Sequence, residues 1–453
     1  MMIHRLAILG AMGDLTGRYL LPAVARLRGM GKLPADLRIT AISREQLATA
    51  AYRQHVAQRL EQHAGDIDRT RREDVVGRIE YRQADVGSTD ELREALGSLD
   101  SPLAAYLALP PRIFPAAVRG LSDVGLPEGS RIVVEKPFGE DLASARALNQ
   151  LIHENFSEEA VYRVDHFLAL QTVQNILGLR FANRVFELLW NRDHVERVEI
   201  IWDETVALEG RASYYDKAGA LKDMIQNHLL QLLCLIGMEP PLTLGERDLR
   251  DRKVDVLRAV RRMSREEVSG NTIRARYTAG QIGERQISSY ADEEGIDPSR
   301  ETETFAQVTL AIDNWRWAGV PFILRTGKAL ARNRRNINIV FRGVPHLAFQ
   351  ENDPVPNILR LQLNPDRMSL SVNINGAGDP FVLECVELDA DLAPQEIPAY
   401  GHILLQVLAG DNTLSIRGDE AEESWRIVEP ILSAWREGLV PLREYPAGST
   451  GPE

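Results

Sequence analysis

The chain has 453 residues, 44% of them apolar and 26% charged, with a formal net charge of −12 and two cysteines. That length exceeds one ordinary hydrophobic core and predicts two domains. The acid excess argues against nucleic acid or an anionic membrane as a partner, so any anionic ligand must be met by local cations.

Residues 3–9 read as a strand that runs, without a signal-peptide pattern, into Gly10-Ala11-Met12-Gly13-Asp14-Leu15. Leu15 to Met30 reads as a helix with Leu20, Leu21, Val24 and Leu27 on one face. Strands follow at 37–43, 103–108 and 131–135, with helices at 89–97 and 112–124. This alternation predicts an α/β domain over 1–165, a Rossmann doubly wound parallel sheet. Over 166–453 the rhythm changes. Segments 195–202, 305–313, 337–341, 358–363 and 368–374 alternate like strands of a large, mainly antiparallel sheet. Helices at 168–181, 219–236 and 422–437 complete an α+β domain. Cys234 and Cys385 lack metal or redox spacing and read as reduced core residues of a cytoplasmic protein. No metal is expected. No apolar stretch has the length of a membrane span. Arg332, Arg334 and Arg335 read as a solvated surface run.

The Gly10–Gly13 turn sits where a first βα unit cradles a dinucleotide. Backbone N–H groups reach a pyrophosphate there, and the helix N-terminus adds its positive dipole. Gly10, Met12, Gly13, Asp14 and Leu15 are therefore candidate cofactor contacts. The second strand ends in Ser43-Arg44. An arginine there pairs with the 2′-phosphate of NADP, whereas an acid holds the ribose of NAD. Glu45 next door leaves NAD use open.

Leu221, Met224, Ile225, His228, Leu232 and Leu235 share helical spacing, so His228 lies on an apolar stripe. Such a histidine is either a satisfied core residue or a general base kept neutral by burial. As a base it needs an orienting acid, and Asp165 in Arg163-Val164-Asp165-His166 is the candidate.

Seven further blocks occur in order. After Gly10–Leu15 come Ala108-Leu-Pro-Pro, Glu135-Lys136-Pro137-Phe138-Gly139, Arg163-Val-Asp-His, Glu209-Gly-Arg211, Tyr214-Tyr-Asp-Lys-Ala-Gly-Ala, Asp223-Met-Ile-Gln-Asn-His228 and Phe322-Ile-Leu-Arg-Thr-Gly-Lys328. Nearly end to end, the chain resembles the glucose-6-phosphate dehydrogenase family. The resemblance implies that His228 takes the proton of a sugar C1 hydroxyl as hydride leaves C1, and that Asp165 orients His228. It implies that Lys136 bridges cofactor and sugar, with Pro137 shaping that strand end. Glu204, Asp223 and Lys328 would bond sugar hydroxyls, and His166 would lie near the C6 substituent. The product would be a δ-lactone. The assembly would be a homodimer or a dimer of dimers.

The chain departs from the family where the substrate phosphate is held. The family continues after Asp-His with Tyr-Leu-Gly-Lys; here the run is Phe167-Leu168-Ala169-Leu170. Asn333 stands where the family has Lys or Arg, and Tyr19 replaces a lysine; separately, Met12 replaces a small residue between the turn glycines of the cofactor pocket. A phosphate near neutral pH carries almost two charges and needs cations in a desolvated site. The leading expectation is an NADP-dependent sugar 1-dehydrogenase whose substrate lacks the 6-phosphate or differs there. The alternative is an ordinary glucose-6-phosphate 1-dehydrogenase in which Arg332 or Arg334 enters the phosphate site. An alternative of another class is a catalytically silent regulatory or assembly partner.

Overall fold

The computed structural model describes residues 2–210, 212–349, 354–379, 381–393 and 395–452. The chain forms two compact units. One comprises Met1–Leu170, Pro241–Asp251 and Gln395–Glu422; the other comprises Gln171–Pro240, Arg252–Pro394 and Glu423–Glu453. The expected division at residue 165 makes no provision for the two later segments that join the first unit.

The first unit is built on six strands: β1 (Arg5–Leu9), β2 (Arg38–Ser43), β3 (Ile79–Gln83), β4 (Ala104–Leu107), β5 (Arg131–Glu135) and β6 (Val161–Val164). Their order is β3-β2-β1-β4-β5-β6, and every neighbouring pair is parallel. This is the doubly wound Rossmann arrangement expected from the alternating pattern. The inner strands are apolar on both faces because helices cover both sides, as Leu6, Ile8 and Leu9 show. Two strands escape the sequence reading. β3 is an edge strand with exposed Glu80, Arg82 and Gln83. β6 buries Arg163, whose charge Glu158 meets at 2.7 Å.

Helix Ala399–Ala409 belongs to this unit. It sends Ile403, Leu404, Val407 and Leu408 into the same core as Leu20, Leu21, Val24 and Leu27. Farther along the same returning segment, Ser415 and Ile416 run beside β6. Ser415 Oγ accepts the Arg163 N–H at 2.9 Å, and the Ile416 N–H reaches the Arg163 carbonyl at 3.0 Å.

The second unit carries a nine-stranded sheet. Its strands are β7 (Val195–Asp203), β8 (Thr272–Thr278), β11 (Phe305–Ala311), β12 (Pro321–Gly327), β13 (Arg334–Phe341), β14 (Ile358–Leu363), β15 (Asp366–Asn375), β16 (Leu383–Asp391) and β17 (Leu442–Pro446). A separate hairpin supplies β9 (Gly280–Ile282) and β10 (Arg285–Ile287). The order is β16-β15-β14-β13-β7-β12-β11-β8-β17. Only β7–β12 and β8–β17 are parallel pairs, so the sheet is mainly antiparallel as expected. Cys234 is buried, but Cys385 is exposed on β16, against the expectation of a core residue. β16 is an edge strand exposed along most of its length, so Cys385 meets no core there.

Candidate active site

The residues singled out in the sequence divide between the two units. In the first unit, Gly10 has φ 93°, and the N–H groups of Gly10 and Ala11 both reach the Ile42 carbonyl, at 2.9 and 3.0 Å. A Cβ on Gly10 would lie 2.1 Å from the Ala108 carbonyl oxygen, so only glycine fits this approach. The Gly13 N–H closes the turn on the Gly10 carbonyl at 3.0 Å. The expected helix after Leu15 begins as a π-helix, Thr16–Leu20, and continues as the α-helix Leu21–Gly29. The strand, tight turn and helix opening are the cradle that a pyrophosphate requires. Asp14 beside it is held by Arg59 at 2.6 Å, and half-buried Met12 packs on the core.

Ser43 ends β2 and donates to the Glu45 carboxylate. That hydrogen bond is the main reason Glu45 titrates below the usual carboxylate range. Arg44 is exposed and forms no ion pair among the described residues. At the end of β5, half-buried Lys136 precedes Pro137 through a cis peptide. The neighbouring Glu135 is buried and accepts the Tyr106 hydroxyl at 2.5 Å. Burial pushes its carboxyl up to about 7; Tyr106 and Lys136 act against the rise, and the Asp165 charge adds to it.

Asp165 directly follows β6, is 2% exposed, and its Oδ1 accepts the Phe167 N–H at 3.0 Å. The His166 ring stacks on Tyr400, with centroids 5.6 Å apart and planes 18° apart. Tyr400 in turn meets Tyr19 at 5.3 Å. Phe167 is buried and stands edge-on to His166, while Leu170 is half-buried. The first unit thus gathers His166 and two of the residues that depart from the family, Tyr19 and Phe167, around Tyr400 and its neighbours.

In the second unit, Asp223 and His228 lie on Leu221–Leu229, a nine-residue π-helix that passes into the α-helix Leu230–Gly237. The predicted apolar stripe is not one-sided here. Gln226, Asn227 and Gln231 are buried as well, while Met224 is only half-buried. His228 is 2% exposed. The Asn227 side chain bridges back to the Lys222 carbonyl at 2.9 Å, a five-residue step that matches the wider turn. Asp223 accepts the Tyr214 hydroxyl at 3.2 Å.

The start of this helix is fixed by Glu303, which is 7% exposed. Its Oε1 accepts the Leu221 N–H at 3.0 Å, and its backbone carbonyl accepts the Ala220 N–H at 3.1 Å. Gly219, at φ 68° and ψ 173°, breaks the helical path just before. Burial raises the Glu303 carboxyl, against the Leu221 hydrogen bond.

Glu204, just beyond β7, receives Lys328 Nζ at 2.9 Å, Trp202 Nε1 at 3.3 Å and Arg335 Nη2 at 3.3 Å. Burial works against its charge, yet Lys328, Trp202 and Arg335 together hold it below the ordinary range. Arg334 donates to Asp203 through Nε and Nη2 at 2.8 and 2.6 Å. Arg334 and Arg335 are therefore paired rather than members of a solvated run, because carboxylates end the neighbouring strand. Arg332 is exposed. The Asn333 Oδ1 accepts the Thr205 N–H at 3.0 Å and pins the chain past Glu204. Arg211 lies outside the described residues.

Sequence reasoning missed Tyr400 and Glu303, and the roles of Glu135 and Arg335. Gly219 inside a helical stretch was the one visible signal; Glu303 lies more than eighty residues away from its partner Leu221 and gave none.

Comparisons with known proteins place these features. The family model described as "Glucose-6-phosphate dehydrogenase, NAD binding domain" matches residues 7–175, and "Glucose-6-phosphate dehydrogenase, C-terminal domain" matches 177–453. The chain is 39% identical over 461 residues to a glucose-6-phosphate 1-dehydrogenase of Rhizobium meliloti (strain 1021), covering 98% of this chain and 94% of that one. It is 36% identical to one of Zymomonas mobilis, covering 99% and 96%. A crystal structure of glucose-6-phosphate 1-dehydrogenase from Mycobacterium avium superposes with a TM-score of 0.88 at 33% identity, covering 100% and 95%. A glucose-6-phosphate dehydrogenase in complex with its substrate glucose-6-phosphate superposes with a TM-score of 0.90 at 30% identity, covering 99% and 95%.

Proposed function

The chain belongs to the glucose-6-phosphate dehydrogenase family, and from that premise we propose that it oxidises C1 of glucose 6-phosphate with NADP, releasing the δ-lactone. Membership makes it an oxidoreductase of a sugar CH–OH group with a nicotinamide-binding domain. The observation that carries the finer reading is the match across both units to relatives named glucose-6-phosphate 1-dehydrogenase. The expectation of an unphosphorylated sugar has no such support.

In this reading His228 accepts the C1 hydroxyl proton while C1–H departs as hydride with its electron pair, leaving the C1=O of the lactone. The bound nicotinamide supplies the hydride acceptor. Asp165 holds the imidazole in one orientation and stabilises the imidazolium. Glu204, Asp223 and Lys328 bond sugar hydroxyls, His166 lies toward C6, and Lys136 and Pro137 shape the meeting of sugar and cofactor. Gly10, Met12, Gly13, Asp14 and Leu15 line the pyrophosphate cradle, and Ser43 and Arg44 take the 2′-phosphate. Exposed Arg44 supports NADP over NAD. The chain assembles as a homodimer or a dimer of dimers. Exposed Leu388 on β16, the edge of the large sheet, supports that assembly.

A second reading, oxidation of a hexose without the phosphate, draws support from Leu170 and Asn333, which offer no cation. Initial rates on glucose 6-phosphate, free glucose, and amino- or deoxy-hexoses test both. Preference for glucose 6-phosphate sustains the first; turnover confined to unphosphorylated sugar replaces it with the second. Retained Asp165, His228 and Lys136 leave the silent-partner alternative without support.

A further inference from the structure

Asp203 and Glu204 are neighbours at the end of β7, and each meets two cations. The two carboxylates use them differently. Asp203 is 1% exposed and takes two short contacts from Arg334, while Arg325 reaches it at 3.1 Å and also donates to the Thr450 carbonyl at 2.6 Å. Those arginines are committed to holding strands together. At Glu204, Lys328 already supplies a close ammonium at 2.9 Å. Arg335 adds only one long contact, 3.3 Å from Nη2. Its buried Nε has no hydrogen-bond partner among the described residues. Its guanidinium lies over the Trp202 ring, 4.7 Å from the centroid, which fixes the plane without using a donor. One carboxylate charge therefore faces two cations, and the second cation keeps most of its donors unspent. A planar fork of that kind suits a phosphate or carboxylate, whereas a neutral hydroxyl leaves its charge unanswered. Arg335 lies on β13 opposite Trp202, two residues along the chain from Asn333, which precedes the strand.

We infer that Arg335 is a specificity-determining residue that binds the anionic substituent of the sugar, in place of the cation that Asn333 does not provide. This rests on the reading that Glu204 and Lys328 bind the sugar. It moves the compensating charge from Arg332 or Arg334, the sequence-based alternatives, to the next residue along.

The test compares the parent enzyme with Arg335→Met and Arg335→Lys on glucose 6-phosphate and on free glucose with NADP. Arg335→Met is expected to raise KM for glucose 6-phosphate about tenfold or more, the loss of a charged hydrogen bond. That rise should clearly exceed any change in KM for free glucose, and Arg335→Lys should recover part of the loss. Equal rises of KM on both sugars would mean that Arg335 only props Glu204, and would overturn the inference while the proposed reaction stands. An unchanged KM for glucose 6-phosphate does the same. If the parent oxidises only unphosphorylated sugar, the proposed substrate fails, and calorimetric titration with inorganic phosphate decides Arg335 separately. Binding that vanishes in Arg335→Met supports it; a parent that binds no phosphate overturns it.

Discussion

The Glu303 carboxylate fills the space that a side chain on Gly219 would need: a Cβ there would lie 2.4 Å from Oε1. The same carboxylate accepts the first N–H of the π-helix that carries Asp223 and His228. An acid and a missing side chain together set where that helix begins.

Gly219→Ala is therefore expected to cost stability twice over. The backbone at φ 68° and ψ 173° lies in a region nearly exclusive to glycine, worth about 1–3 kcal/mol, and the methyl displaces Glu303. The melting temperature and kcat should both fall. Glu303→Gln, which keeps the volume and an acceptor oxygen, should change far less. Adding Glu303→Ala to Gly219→Ala removes the clash and should recover part of the loss in thermal melts. A double variant no more stable than Gly219→Ala alone would show that the clash is not the cause.

Glu135 gives a pH signature. Burial raises its carboxyl from the ordinary 4.5 to about 7, so the native state binds the proton more tightly than the unfolded chain. Between those values the unfolded state carries fewer protons, and stability from this group falls as pH rises. The favourable contribution is complete below about 4.5 and gone above about 7, a change of at most about 3 kcal/mol. Glu135→Gln should flatten that slope, gaining on the parent in denaturant melts at pH 8 relative to pH 5. Identical slopes in parent and variant would mean that Glu135 is ionised throughout.

His228→Asn should lower kcat about 10²–10⁴-fold, the usual worth of a positioned base. Asp165→Asn should lower it as well. Fluorescence titration should find NADPH affinity little changed in His228→Asn. A variant that kept full turnover would remove His228 from the reaction.

Arg44→Ala should raise KM for NADP about tenfold or more, the loss of charged hydrogen bonds to a phosphate, and leave KM for NAD nearly unchanged. Steady-state rates with both cofactors read this directly. Equal losses with both would show that Arg44 does not read the 2′-phosphate.

Much of this was legible in the residues because local physics writes it there. β1, β2, β4 and β5 are apolar on both faces, as a covered parallel sheet demands, and all four were found within a residue or two. The glycine turn was legible because only glycine adopts its φ and close approach. The π-helix was not, since Leu221, Ile225 and Leu229 satisfy an α-helical pattern equally well. Nor was the pairing of Glu303 with Gly219, or of Arg334 with Asp203, because these contacts join residues far apart in sequence. Arg163 hid β6 for a different reason: its charge is met by Glu158 nearby in the chain, and no period of two or 3.6 announces an ion pair.

The hydrogen bond from the Ile3 N–H to the Leu408 carbonyl, 2.7 Å, has a consequence for synthesis. The first strand, Arg5–Leu9, leaves the ribosome long before helix Ala399–Ala409 does. Until that helix emerges, Leu20, Leu21, Val24 and Leu27 lack the apolar neighbours that complete their core. The nucleotide-binding unit is then the one that must wait, and its earlier part keeps an uncovered apolar face while the intervening second-unit residues are made.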